Sequence, residues 1–319
     1  MYEQKQRTKL LRGGGDAMRV LFATDGSEHS EGAARFLTRF DFSKTDEIVV
    51  LHVISEVPYD DDYHAQVKRM IKRVAPKILE ASADILKPVG AEISTVEEEG
   101  YPDTMIAEKA MAYESDLVVM GARGVKGVGL LFLGSATRSV TINSPKPVLV
   151  FKQPSWQASG RIKILFAADG SEIADEAGKF VATLPLPAET EITVMHISSS
   201  FIADIPEKYV KEMAEKIAGR PSTYKESERI FERAKTYLGS RFTKIDYLLR
   251  IGDPAREILA MEKTLEPDMI VVGCRGLRGI KGMMGSVSRR VLGHSESSVL
   301  IGKPCAKSVP THNEGGDRL

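Results

Sequence analysis

Residues 19 to 36 read RVLFATDGSEHSEGAARF, and residues 163 to 180 read KILFAADGSEIADEAGKF, with about half of the positions identical at a constant offset. A chain written twice must fold as two copies of one unit, and this constrains it more than any composition does. The register persists. Leu51-His-Val-Ile54 is answered by Met195-His-Ile-Ser198, Gly100-Tyr-Pro-Asp103 by Gly252-Asp-Pro-Ala255, and Val118-Val-Met-Gly-Ala-Arg-Gly124 by Ile270-Val-Val-Gly-Cys-Arg-Gly276. The offset is 144 at the first two landmarks and 152 at the next two, so eight extra residues enter the second copy between Ile197 and Gly252, within residues 205 to 238.

Within a copy, short runs rich in Val, Ile and Leu alternate with longer segments of helical spacing. RVLFAT, EIVVLHVI, AEISTVEE, SDLVVMG and PVLVFK predict five strands of the first copy, two of them nearly continuous in apolar residues, as buried parallel strands are. Val67, Met70, Ile71, Val74, Ile78 and Leu79 predict one face of a long helix. Alternation of this kind gives an α/β fold of two tandem open five-stranded parallel sheets, each covered by helices on both faces. The expected organisation is an N-terminal arm over 1–17, a first domain over 18–153, a linker over 154–161, a second domain over 162–302 and a polar tail over 303–319. Met18 is an alternative start.

Composition excludes more than it specifies. The 44 basic and 44 acidic residues cancel, which removes the electrostatic ground for nucleic acid or an anionic membrane as principal partner. Two cysteines, Cys274 and Cys305, make neither a metal spacing nor a disulfide framework. No apolar run is long enough to span a bilayer, and a cytoplasmic protein is expected.

In open α/β sheets ligands bind beyond the carboxyl ends of the strands, where strand order reverses. With strand order 3-2-1-4-5, Thr24-Asp-Gly-Ser27 and Gly121-Ala-Arg-Gly124 flank that crevice. Glycines let backbone amides approach a phosphate, and Gly134-Ser135 opens a helix whose free amides and dipole favour an anion, with Ser135 expected as N-cap. Arg123 and Lys126 add positive charge. The stretch is neither GxxxxGK[ST] nor GxGxxG, so the residues alone leave the ligand class open. Asp25 also reads as an Asx-type cap of the following helix, and His52 and His196 as satisfied core residues. Acidic YDDDY at 59–63 and Glu97-Glu-Glu99 read as solvated charge at element ends.

Gly121-x2-Gly124-x9-Gly134-Ser135, with Asp25, Leu51-His-Val53 and the terminal PKPVLVF, resembles the ATP-binding branch of the universal stress protein family, in a tandem form. The resemblance covers nearly the whole chain, twice. It implies an adenine nucleotide alpha hydrolase-like fold and a stress-response or signalling protein that binds ATP or AMP, and leaves open whether Mg2+ accompanies the nucleotide. It places Asp25 on the adenosine, Val53 against adenine, and Gly121, Gly124, Gly134 and Ser135 on the ribose and phosphates. Ala23, Thr24 and Met120 would line the pocket, and Thr137 would offer a further hydroxyl beside the phosphates.

The second copy keeps Asp169, Ile197, Gly273, Gly276, Gly285 and Ser286, but only eight residues separate Gly276 from Gly285, against nine in the first copy. Each later amide is displaced, so an altered second site is expected beside an intact first one. The family's final strand pairs edge to edge in dimers, and VLVF at 148–151 with VLIG at 299–302 would let the two halves pair within one chain as a pseudo-dimer, with a further homodimer as an added level. A slow nucleotide hydrolase and an interaction module without nucleotide are the competing functions. Against the first stand the lack of a general base in the motif and of the SGGxDS loop of ATP-pyrophosphatases; whether the chain is an enzyme stays open.

Overall fold

Runs such as Leu117-Val-Val-Met-Gly121 carry no polar alternation because both faces of the strand they form are covered. In the computed structural model of the chain, residues 17–56, 62–123, 133–153, 160–198, 221–275 and 284–304 are described. The first repeat runs β1 (Arg19–Ala23), α1 (Glu28–Leu37), β2 (Glu47–Ser55), α2 (Asp62–Leu86), β3 (Glu92–Gly100), α3 (Pro102–Ala112), β4 (Leu117–Gly121), α4 (Ser135–Asn143) and β5 (Val148–Phe151). The second runs β6 (Lys163–Ala167), α5 (Glu172–Thr183), β7 (Glu191–Ser198), α6 (Pro221–Leu238), β8 (Lys244–Ile251), α7 (Pro254–Leu265), β9 (Met269–Gly273), α8 (Ser286–His294) and β10 (Ser298–Gly302).

Both repeats have the expected parallel order 3-2-1-4-5. Their sheets join through β5 and β10 into one ten-stranded sheet, β3-β2-β1-β4-β5-β10-β9-β6-β7-β8. The joining pair is antiparallel, with Val299 opposite Val150, Leu300 opposite Leu149 and Ile301 opposite Val148. One apolar core lies on each face of this sheet. The first gathers Phe36, Phe151, Phe166 and Leu184, the second Leu21, Val140, Leu165 and Val291, so each face is continuous across both repeats. A further seam forms where Arg39 donates to the Gly160 carbonyl and lies 3.7 Å from the Asp268 carboxylate.

Two expectations need correction. Met70 and Val74 are 57% and 49% exposed rather than part of the core stripe of α2. The buried line of that helix is Ala75, Leu79, Ser82 and Leu86, and at about 100° per residue both exposed positions fall on the flank beyond Ile71 and Ile78. Glu97 to Glu99 lie inside β3 rather than at an element end; Glu98 pairs with Lys109, and Glu99 with Lys68 and Lys72. Charge on an outermost strand also discourages edge-to-edge aggregation. Tyr59, Asp60 and Asp61 lie outside the described residues, as do most of the expected arm, linker and tail and the first part of the expected insertion.

Candidate functional site at the switch point of the first repeat

β1 pairs with β2 on one side and β4 on the other, so chain order reverses between β1 and β4. From there α1 leaves toward one face and α4 toward the other, which opens a crevice above Ala23 and Met120. Both of these residues are buried, and Val53, half-buried on β2, joins the same core face.

After β1 the chain must turn at once into α1. Gly26 takes φ +74, and the Asp25 carboxylate accepts from the Ser27 amide at 3.1 Å, an Asx turn. The cap of α1 is Ser27, whose hydroxyl accepts from the Ser30 amide at 3.3 Å and donates to the Arg123 carbonyl at 3.1 Å. Thr24 turns its polar atoms inward. Its amide donates to the Leu51 carbonyl, its carbonyl faces His52 Nδ1 at 2.9 Å, and its hydroxyl lies 3.2 Å from that of Ser30 and 2.9 Å from that of Ser82. His52 and, through the Ala168 carbonyl, His196 are accordingly satisfied core histidines.

The Gly-rich stretch separates two kinds of glycine. A Cβ at Gly121 would lie 2.8 Å from the Ser30 amide nitrogen and 2.9 Å from His29, so packing of β4 against α1 itself demands glycine. Gly134 has φ −57 and ψ 148, and among the described residues a Cβ there would meet nothing closer than 3.5 Å. Among the described residues neither sterics nor backbone angle explains that glycine. In the second repeat Gly285, φ −62, has its nearest contact at 3.4 Å. Both mouths are held in the same way: the Gly134 amide donates to the Ala122 carbonyl at 2.9 Å, and the Gly285 amide to the Cys274 carbonyl at 2.8 Å.

Gly134, not Ser135, is the N-cap of α4, and no side chain among the described residues caps its first-turn amides. Ser135 is exposed at the first helical position because Gly134 already supplies the extended residue that a cap needs. Gly285 and exposed Ser286 repeat the arrangement on α8. The first turns of α1, α3, α5 and α7 carry Glu28, Asp103, Glu172 and Glu257, whereas those of α4, α6 and α8 carry no acid. Among the described residues no acid or side-chain cap offsets the positive partial charge at the N-termini of α4 and α8. Thr137 does not face outward: its buried hydroxyl donates to the Gly121 carbonyl at 2.9 Å, as Ser288 does to Gly273 at 2.6 Å.

His29, half-buried beside Gly121, is a site residue that sequence reasoning passes over. Burial and then the Arg123 charge hold its imidazole below the ordinary value, against Glu28 and Asp25. Its counterpart by the repeat is Ile173, and that difference was the available signal. In the second crevice Asp169 forms the same Asx turn with the Ser171 amide at 2.9 Å, and Ile197 is buried. Gly124 and Gly276, Lys126, and the apolar run from Val128 to Phe132 lie outside the described residues. Among the described residues no group of three or more His, Cys, Asp or Glu is placed to hold a metal ion, and no helix is long and apolar enough to cross a membrane.

Two doubly wound α/β units, each with an uncapped helix N-terminus at its switch point, define a tandem protein of the adenine nucleotide alpha hydrolase-like class. The model of the universal stress protein family matches residues 17–152 and again 161–303, and the chain belongs to that family. A universal stress protein of Mycolicibacterium smegmatis is 25% identical over 306 residues, 89% of this chain and 97% of that protein. The Bacillus subtilis universal stress protein YxiE is 32% identical over 149 residues, 44% of this chain and 97% of that protein. The crystal structure of a universal stress protein from Archaeoglobus fulgidus aligns with a TM-score of 0.59 at 23% identity, covering 89% of this chain and 98% of that one, a likeness of fold.

Proposed function

We propose that this universal stress protein binds an adenine nucleotide, ATP or AMP, in the crevice between β1 and β4, and acts in a stress response or in signalling by reporting that occupancy. The observation that carries the reading is Gly134: a glycine that no contact among the described residues requires stands at the mouth of a helix N-terminus that they leave uncapped and without a first-turn acid. A Cβ there would fill the space a phosphate oxygen needs, and the first-turn amides are the natural donors to it. Asp25 and Val53, on the β1 and β2 side, are positioned for the nucleoside. Thr24 and Thr137 act behind the site, by holding the turn and the helix, rather than on the ligand.

The second repeat keeps the uncapped helix and its unrequired glycine, and its shorter loop makes it an altered site. Pairing of β5 with β10 supports a pseudo-dimer within one chain, which buries two strand edges that would otherwise be open. Calorimetric titration with ATP and with AMP tests the reading. Saturable heat for wild type, largely lost in Gly134→Val, is expected; no heat at high micromolar ATP overturns it.

A further inference from the structure

Two lysines cross between the repeats. Lys152, the first residue after β5, places Nζ 2.5 Å from the Leu292 carbonyl oxygen and 2.7 Å from that of Ser295, at the C-terminal end of α8. Lys303, the first residue after β10, places Nζ 2.7 Å from the Thr141 carbonyl oxygen and 3.1 Å from that of Ile142, at the C-terminal end of α4. The antiparallel register produces this exchange. Each last strand runs past the start of the other, so its next residue comes level with the other repeat's last helix.

Burying an ammonium is unfavourable, and burial lowers both lysines from their ordinary value. The compensation is electrostatic: the last carbonyls of a helix have no intrahelical donor, and they carry the negative end of its dipole. Helix α4 has no basic residue of its own in its last turn, so the cation at its C-terminus comes from the other repeat. α4 and α8 are also the helices whose glycine-capped N-termini stand at the crevices.

We infer that Lys303 is a positioning residue for the phosphate site of the first repeat, and Lys152 for that of the second. The inference rests on the nucleotide reading above. A nine-residue helix is about 13 Å long, so the lysine's direct field at a phosphate beyond the far end is largely screened. Its action is mechanical as well as electrostatic: it fixes the C-terminal turn of α4, and with it the direction in which the first-turn amides point. Each nucleotide site is thus completed by a side chain from the repeat that does not contain it.

The test is calorimetric titration of the full chain with ATP and with adenosine, in a Gly285→Val background that silences the second crevice. Lys303→Met should weaken ATP binding by about two- to five-fold, the range of a helix-terminus charge, and leave adenosine unchanged, since the nucleoside rests on β1 and β2. Lys303→Arg, which can donate to the same carbonyls, should restore ATP binding. Unchanged ATP affinity, or equal losses for ATP and adenosine, overturns the inference. Should Lys303→Met fail to fold by circular dichroism, Lys303→Gln, which shortens the side chain and removes its charge, takes its place in the same background. With that variant a loss confined to ATP supports the inference, and an unchanged affinity or an equal loss of both ligands overturns it. Failure of wild type to bind ATP removes the nucleotide reading and the inference with it, and shows before any lysine is changed.

Discussion

The Ser27 hydroxyl donates to the Arg123 carbonyl at 3.1 Å and so ties the turn after β1 to the loop after β4, across the mouth of the crevice. The same oxygen caps α1 by accepting from Ser30. Ser27→Ala therefore removes a cap and a cross-crevice tie together. Loss of about 1 kcal/mol of stability is expected from the cap alone, with a lower ATP affinity from the freed loop. Ser171→Ala serves as comparison, since Ser171 caps α5 through the Ala174 amide. Urea unfolding and ATP titration of both variants check this: affinity equal to wild type in Ser27→Ala would remove the tie's role.

Beneath the Asp25 turn the hydroxyls of Thr24, Ser30 and Ser82 form a buried cluster. Their repeat counterparts are Ala168, Ala174 and Ala234, all buried, and the register is confirmed where Ile78 packs on Gly26 and Ile230 on Gly170. Three polar groups are exchanged for three apolar ones as a set. Ser82→Ala alone should destabilise by about 1–2 kcal/mol by leaving the Thr24 hydroxyl short of a partner. Adding Ser30→Ala should cost more than the sum of the two single changes, because the buried Thr24 hydroxyl then loses both of its hydroxyl partners, whereas each single change leaves it one. Urea midpoints of the two single variants and the double variant decide it; strict additivity would show that the hydroxyls act separately.

Burial pushes the Lys152 ammonium down to about 8 from its usual 10.5. Below about pH 8 both folded and unfolded chains hold this proton, and stability is indifferent to pH on its account. Between about 8 and 10.5 the unfolded chain keeps the proton and the folded chain has lost it, so this group's contribution to stability rises with pH, by at most about 1.4 kcal/mol per unit. Wild type should gain on Lys152→Gln in urea midpoint from pH 8 to 10, while the difference stays flat from pH 6 to 7. A difference constant over the whole range would place the lysine in solvent-like surroundings.

The repeat, the strand order and the crevice were legible because they rest on periodicity and on offsets that a linear text preserves. The pairing of VLVF with VLIG came instead from the family resemblance, since two apolar edges do not by themselves name each other as partners. What a hydroxyl points at was not legible: Thr24 and Thr137 sit in the motif, yet both turn inward, and only the third dimension shows that Ser82 and the Gly121 carbonyl wait there. Ser135 follows a glycine that already supplies the extended backbone of a cap, so a rule based on residue preference chose the wrong neighbour. Lys152 and Lys303 read as ordinary charges after a strand, since their partners lie more than 130 residues away.

Gly121 and Gly134 belong to one motif, but glycine is needed for different reasons, and substitution should separate them. At Gly121 a Cβ would press on the Ser30 amide nitrogen at 2.8 Å, and backbone cannot yield as a side-chain tip can. Gly121→Ala should therefore lower the unfolding temperature by several degrees, about the effect of 1–3 kcal/mol in overpacked sites. At Gly134 the described residues leave room, so Gly134→Ala should leave the unfolding temperature within about 2 °C of wild type, the small change expected of a poorer N-cap. Its methyl group instead occupies the approach to the first-turn amides of α4. ATP affinity should fall at least about tenfold, roughly 1.4 kcal/mol, while adenosine binding persists. Thermal melts without ligand and titrations with ATP and adenosine separate these outcomes, and a Gly134→Ala protein that binds ATP as wild type does would mean that the phosphates do not pass that residue.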